Sequence, residues 1–332
     1  MKDDNKKRLD WIDYLKGLAI LTVVFLHSFN GYDTNNTTTG IILKYITSFH
    51  MALFFSISGY LYNKKTKNYK VQIIKKTKTL VLPYIVYGVF VGFILENVRV
   101  LIRGHEFDIF LTISKLLTLK ISYLASWFLI VLFETYLLEY LINYISEKLK
   151  INEVYIAIIH LVLLIIAFLC TNIEFMDLYK IKLVFVSAAF FYFGKLLSRK
   201  NIKITNSIAL IIIGLVLCFI NKTCTYSNFE FGDCVLFTLS ACCSITGWIN
   251  LIKNVFIDYS NIINKKIRDF GQDSIIILLT HPIYLYFIRI VEKLANMEIH
   301  TFPPYAIFII LIIMEIITLK FMPKFIKKTF GK

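Results

Sequence analysis

Apolar residues in this chain come in long, nearly unbroken runs rather than in alternation or as one stripe of a helix. The runs fall at approximately 12–29, 41–62, 80–102, 122–142, 153–171, 180–197, 204–221, 232–253, 272–295 and 303–322. Each is near the roughly 20 residues that cross about 30 Å of hydrocarbon. Their isoleucine, valine and phenylalanine would favour strands in water. A segment in lipid must satisfy its own backbone polar groups, so the runs are predicted to be helices. Most of them lack a polar face, which argues against a soluble helical bundle. The pattern predicts an all-α, polytopic membrane protein of about ten transmembrane helices, a single transmembrane domain over 1–332 with no soluble catalytic domain. The first run leads into the second within a dozen residues and shows no small-residue cleavage pattern. It is therefore expected to be a membrane helix and not a cleaved signal peptide.

Composition agrees, and charge adds direction. The 332 residues are 57% hydrophobic and 18% charged, against about a quarter charged in a soluble domain. Mean hydropathy is +0.67. The net charge of +15 does not predict a nucleic-acid partner, because the basic residues sit in short linkers and form no basic domain. Assigning the N-terminus, 63–79, 143–152, 195–203, 253–268 and the tail from 320 to one side collects most of the 37 Lys and Arg there. The first loop on the other side, GYDTNNTTTG, has none. By the positive-inside rule both termini are expected to be cytoplasmic, with an even number of crossings in the cell membrane. The six cysteines show no metal-ligand spacing; Cys224 and Cys234 flank one predicted outer loop, where a disulfide is conceivable.

Candidate chemistry lies in the ionisable groups at bilayer depth, since these are costly there and usually face the protein interior or a cavity. Lys16 and His27 stand 11 residues apart on the first segment, WIDYLKGLAILTVVFLHSF, about three turns and roughly 16 Å along one face. A base at one end of that stripe and a cation at the other would suit an anionic ligand and a proton transfer. A snorkelling lysine and a histidine bonded to a neighbouring helix would account for them equally well. His50 falls near the middle of the second segment, with Ser56, Ser58 and Gly59 nearby. The short first loop makes the first two segments neighbours, so His27 and His50 are expected to meet. His281 lies in FGQDSIIILLTHPIY, one face with Ser274 and next to Pro282, whose missing N–H tends to open a helix beside a cavity. For His50 and His281 too, a polar contact between helices remains an alternative. Glu134 and Glu315 sit deep in their segments, where either would orient an imidazole or pair with a cation. Arg99, Arg103, Arg289 and Glu292 are expected to be interfacial charges, and Trp127 a belt aromatic. His105, His160 and His300 have no companion in the sequence. No Walker loop, dinucleotide fingerprint, HExxH or GxSxG occurs, and no metal is expected.

These same residues carry a resemblance. The chain resembles the acyltransferase-3 family of integral membrane acyltransferases, and within it the fucose 4-O-acetylase-like branch. RLDWIDYLKGLAILTVVFLH is similar to the family's opening, its basic-x10-His motif falling on Lys16 and His27, with lysine where many members carry arginine. FHMALFFSISGYLYNKK resembles the second block and carries His50, Ser58, Gly59, Lys64 and Lys65. TLVLPY at 79–84, WFLIVLF at 127–133 and FGQDSIIILLTHPI follow in the expected order. The resemblance implies transfer of an acyl group, usually acetyl, from cytoplasmic acetyl-CoA to a hydroxyl of a cell-envelope carbohydrate or lipid-linked sugar acceptor. On this reading His27, His50 and His281 are catalytic, and Lys16, Lys64, Lys65, Lys75 and Lys78 hold the nucleotide phosphates. Ser58, Trp127, Glu134, Ser274 and Glu315 are expected to support them. Two rival readings keep the membrane body and drop the chemistry: a transporter or exporter of a small polar or sugar-linked solute, and a non-catalytic sensor or partner domain. A carrier would be expected to show an internal repeat, and none is visible here.

Overall fold

Once such a run is in lipid, coiling is the local solution that leaves no backbone N–H or C=O without a partner. The computed structural model of the chain describes residues 9–35, 37–62, 68–91, 93–94, 110, 124–170, 173, 180–199, 204–255, 257–298, 300–322 and 327. Within these, the apolar runs appear as α1 (Asp10–Ser28), α2 (Thr38–Tyr60), α4 (Trp127–Lys148), α5 (Glu153–Leu169), α6 (Ile181–Leu197), α7 (Ile204–Ile220), α8 (Cys234–Asn254), α10 (Ser274–Leu294) and α11 (Pro304–Phe321). Two further helices, α3 (Tyr69–Lys76) and α9 (Ile262–Gln272), fall in segments expected to be linkers. Among the described residues, six helices (α1, α2, α4, α8, α10 and α11) are long and apolar enough to cross a membrane. The protein is therefore an all-α, multi-pass membrane protein. At 17 residues each, α5 and α7 rise only about 26 Å.

The third expected segment, 80–102, differs. Its described part is wound as π-helix over Thr77–Val81 and Tyr84–Val91, and the two stretches flank Pro83, which has no N–H to give to the preceding turn. Arg99, Arg103 and His105 lie outside the described residues, as do Lys64 and Lys65.

Close backbone approach sets the arrangement at two crossings. A Cβ on Gly59 of α2 would stand 1.8 Å from the Phe191 carbonyl oxygen of α6, and one on Gly194 would stand 1.9 Å from the Ser56 carbonyl oxygen. Ser56 Oγ donates to the Phe190 carbonyl at 2.9 Å across the same seam. The second crossing joins α1 to α9, where Gly17 faces the Ile267 carbonyl and Gly271 the Asp13 carbonyl. Asn261 caps α9, accepting from Ile263 N–H and Asn264 N–H; the Tyr14 hydroxyl of α1 donates to Asn264 Oδ1, and Arg268 pairs with Asp10 of α1. The chain thus breaks at Asp273 and α9 braces the start of α1, where a single linker was expected.

One loop between spans is not a simple connection. Residues 221–233 fold back into the bundle, pinned by Asn221, whose Nδ2 donates to the Phe231 carbonyl and whose Oδ1 accepts from Asp233 N–H. Tyr226 at its tip is buried against Trp127, Phe55, Phe231 and Phe237. Its hydroxyl meets Ser187 Oγ at 3.1 Å. All six cysteines are free thiols, so the conceivable Cys224–Cys234 disulfide is absent.

Candidate active site

His27 occupies the last turn of α1 and His281 the middle of α10, 254 residues away, yet His27 Nδ1 and His281 Nε2 are 2.7 Å apart. The rings are stacked, with centroids 4.9 Å apart and planes 28° from parallel. His281 is fully buried. Its Nδ1 faces the Ile277 carbonyl at 2.5 Å. A carbonyl only accepts, so His281 Nδ1 carries the hydrogen and donates it. In the neutral ring Nε2 is then a bare lone pair, and it accepts from His27 Nδ1–H. This chain of donors leaves His27 Nε2 without a hydrogen, the state a general base needs. The next residue, Pro282, lacks the N–H that would reach Leu278 one turn earlier, and Leu278 lines the adjoining cavity.

That cavity, of about 370 Å³, is walled by His27 and His50 together with Asn30, Thr47, Met51, Trp127 and the loop from Cys224 to Asn228, among others. The expected meeting of His27 and His50 therefore takes the form of a shared cavity wall. His50 Nδ1 donates to the Ile46 carbonyl at 2.9 Å, so its neutral ring also presents a bare Nε2. The volume is within the range of small-molecule sites, and the wall mixes apolar side chains with hydroxyl and amide groups. Cys224 is a thiol on that wall. Burial pushes that thiol up to about 11, which keeps it protonated near neutrality and unfit as a nucleophile.

Trp127 is buried, lies on the cavity wall and stacks on Tyr226 with ring centroids 6.1 Å apart; it is not a belt aromatic. Glu315, also fully buried, meets Thr280 Oγ1 at 2.7 and 2.9 Å, so its contact is with the neighbour of His281 and not with an imidazole. Glu134 Oε2 is buried without a hydrogen-bond partner among the described residues. Ser58 Oγ donates to the Phe54 carbonyl within its own helix, and Ser274 opens α10. Lys16 stands 3.8 Å from Asp13 Oδ1, and Lys75 and Lys78 are exposed. Among the described residues, no lysine lines the cavity. Among the described residues no group of His, Cys, Asp and Glu is arranged to hold a metal ion. Arg289 and Glu292 are not a simple interfacial pair. Glu292 is fully buried and accepts from Arg289 Nη1 at 2.9 and 3.1 Å as well as from His300 N–H and Phe302 N–H.

Two sets of residues escaped the sequence reading. The polar wall formed by Asn30, Thr47, Thr225, Ser227 and Asn228 has no periodic signature; the cluster Thr-Tyr-Ser-Asn between apolar runs was its only trace. His160 is not isolated: its Nε2 lies 2.6 Å from Glu139 Oε1, its Nδ1 donates to the Ile156 carbonyl, and its ring stacks on Tyr192. Both partners are buried. Since Nδ1 is committed to a carbonyl, the 2.6 Å contact requires one proton between imidazole and carboxyl.

The protein is thus a multi-pass membrane protein in which two imidazoles meet nitrogen to nitrogen, one of them, His27, on the wall of a partly polar cavity. The particular family is shown by comparison: residues 9–318 match the acyltransferase domain of the acyltransferase-3 family. The chain belongs to that family. No curated protein and no solved structure matches it.

Proposed function

We propose that the protein is a membrane O-acyltransferase that moves an acetyl group from cytoplasmic acetyl-CoA to a hydroxyl of a cell-envelope carbohydrate. Membership of the family supports acyl transfer in general. The observation that supports the assignment to this site is the 2.7 Å contact of His27 Nδ1 with His281 Nε2, which leaves His27 Nε2 unprotonated on a residue of the cavity wall. On this reading the chain crosses the cell membrane ten times with both ends in the cytoplasm, and it resembles the fucose 4-O-acetylase-like branch.

His27 Nε2 takes the proton of the acceptor hydroxyl as its oxygen bonds to the thioester carbonyl carbon. The carbon–sulfur bond breaks, and the imidazolium returns the proton to the departing sulfur. His281 stays neutral and accepts from His27 Nδ1–H throughout, which holds the ring and stabilises the positive charge on His27, as the buried carboxylate does in a catalytic triad. Both His281 nitrogens are occupied, so His281 is a positioning residue and is not free to polarise the thioester. His50, with a bare Nε2 on the same wall, is suited to accept a hydrogen bond from a second acceptor hydroxyl. Trp127 packs the wall; Glu315 and Thr280 set the turn that carries His281. Ser58, Glu134 and Ser274 are supporting positions of the surrounding helices. The donor's phosphates need cations at the cytoplasmic mouth, and Lys16, Lys64, Lys65, Lys75 and Lys78 would supply them as point charges.

Membrane vesicles bearing the protein, given labelled acetyl-CoA and envelope glycan, should acetylate the glycan. The His27→Ala protein, inserted at the same level, should lose this activity by about 100-fold or more, the scale of general-base catalysis. Undiminished transfer by that variant rejects the proposal.

A further inference from the structure

A second cavity, of about 440 Å³, lies among α1, α2, α8 and α11, and its lining includes Leu18, Thr22, Ile42, Tyr45, Trp248 and Phe308. Its few polar groups are turned inward on the protein. Thr22 Oγ1 donates to the Ala19 carbonyl at 2.7 Å, and Tyr45 OH accepts from Trp248 Nε1 at 3.3 Å. What remains is an apolar slot that runs beside α1 from Leu15 to Phe25, ten residues by their numbering and so about 15 Å at the helical rise. Its flank is α11, the least buried of the six long apolar helices, so the slot lies at the lipid-facing side of the bundle.

His50 lines this slot and also the polar cavity that holds His27. Two cavities of opposite character that meet at one imidazole match an amphiphile, its chain in one and its hydroxylated head in the other. From this geometry we infer that the acceptor is lipid-linked: an alkyl or isoprenoid chain occupies the slot and delivers a polyhydroxy head past His50 to His27 Nε2. The inference rests on the acyltransferase reading of the His27 site. The acceptor fits better than a long acyl chain of the donor, because the hydroxyl and amide groups of Asn30, Thr47, Thr225, Ser227 and Asn228 face the head's side of His50. Lateral entry from the bilayer also places the chain with little hydrophobic gain, since lipid is as apolar as the slot. The slot therefore acts by positioning the head.

The test uses the full-length protein in phosphatidylcholine nanodiscs with a dodecyl glucoside carrying a diazirine at the chain end, photolysed without any acyl donor. Labels should concentrate on α1 and α2 between Leu18 and Tyr45. Unlabelled dodecyl glucoside should suppress them, and glucose should not. Thr22→Trp or Leu21→Trp, either of which fills the slot by bulk alone, should remove most of this labelling. Suppression by palmitoyl-CoA but not by dodecyl glucoside would assign the slot to the donor and overturn the proposal. Labelling no denser than that of a diazirine phosphatidylcholine would overturn it too, leaving bulk lipid as the occupant. Mapping on the unaltered protein does not depend on either variant folding. Because photolysis needs no turnover, specific labelling in a preparation that transfers no acetyl would count against the transfer reading and leave the slot standing.

Discussion

Replacing His281 gives the sharpest test of how the imidazole pair works, because the two nitrogens of that ring have separable duties. His281→Ala removes the acceptor of His27 Nδ1–H, whose present bond is 2.7 Å long. The bond itself is worth about 0.5–1.5 kcal/mol, and a buried donor left unsatisfied costs about 1–3 kcal/mol. If that penalty falls on the state in which His27 carries the extra proton, kcat drops by roughly 5- to 150-fold at about 1.4 kcal/mol per decade. The acceptor's KM should change little, since His281 does not line the polar cavity. His281→Gln is the informative partner: its amide oxygen reaches about as far from the backbone as Nε2 and can accept the same hydrogen bond. It should recover about 2- to 12-fold of the lost kcat, the scale of one such bond. Acetyl transfer by purified protein in nanodiscs, with kcat and KM determined separately, reads both. The positioning role is refuted if Ala and Gln variants of equal thermal stability are equally slow, or if Ala retains full kcat.

Further outcomes follow from other contacts. Gly59→Leu should destabilise the protein by more than about 2 kcal/mol, because even a Cβ would stand 1.8 Å from the Phe191 carbonyl oxygen and overpacking of tight contacts costs about 1–3 kcal/mol; an unchanged melting temperature in detergent counts against the α2–α6 seam. His160→Ala should cost about 3–5 kcal/mol by stranding the buried Glu139, and adding Glu139→Leu should return much of it, which chemical denaturation or thermal melting of the double variant would check. Cys224, raised to about 11 by burial, should alkylate with iodoacetamide about 100-fold more slowly at pH 8 than an ordinary exposed thiol, with the rate climbing as pH rises; fast labelling there would place the loop from 221 to 233 outside the bundle. Burial and the neighbouring Arg289 hold His300 below the usual histidine range. The unfolded chain therefore binds this proton more readily than the folded one. Stability from the contacts around His300 is full above about pH 6.5 and declines as pH falls below it; a melting temperature that rises on acidification contradicts this.

The sequence alone determined where the helices are. An apolar run of about 20 residues in lipid has one way to satisfy its backbone, and that constraint is local, so the expected segments appear within a few residues of their places, except the third and the fourth, whose helix is Trp127–Lys148 where 122–142 was expected. The same logic marked His27, His50, His281, Glu134 and Glu315 as groups too costly to stand idle in hydrocarbon. It also marked Trp127, though for the wrong reason, as a residue of the membrane edge.

Tertiary structure decided everything that depends on which faces meet. The pairing of His27 with His281 spans 254 residues, and nothing in the composition of either helix encodes the partner; it follows from where α1 and α10 lie beside each other. The same holds for Glu139 with His160, for α9 bracing α1 through Gly17 and Gly271, and for the 221–233 loop turned inward on Tyr226. Hydrophobic runs in a bilayer are nearly interchangeable toward lipid, so their burial says little about order or rotation. Glycine contacts, buried hydrogen bonds and aromatic packing supply that information, and they exist only after the chain has folded.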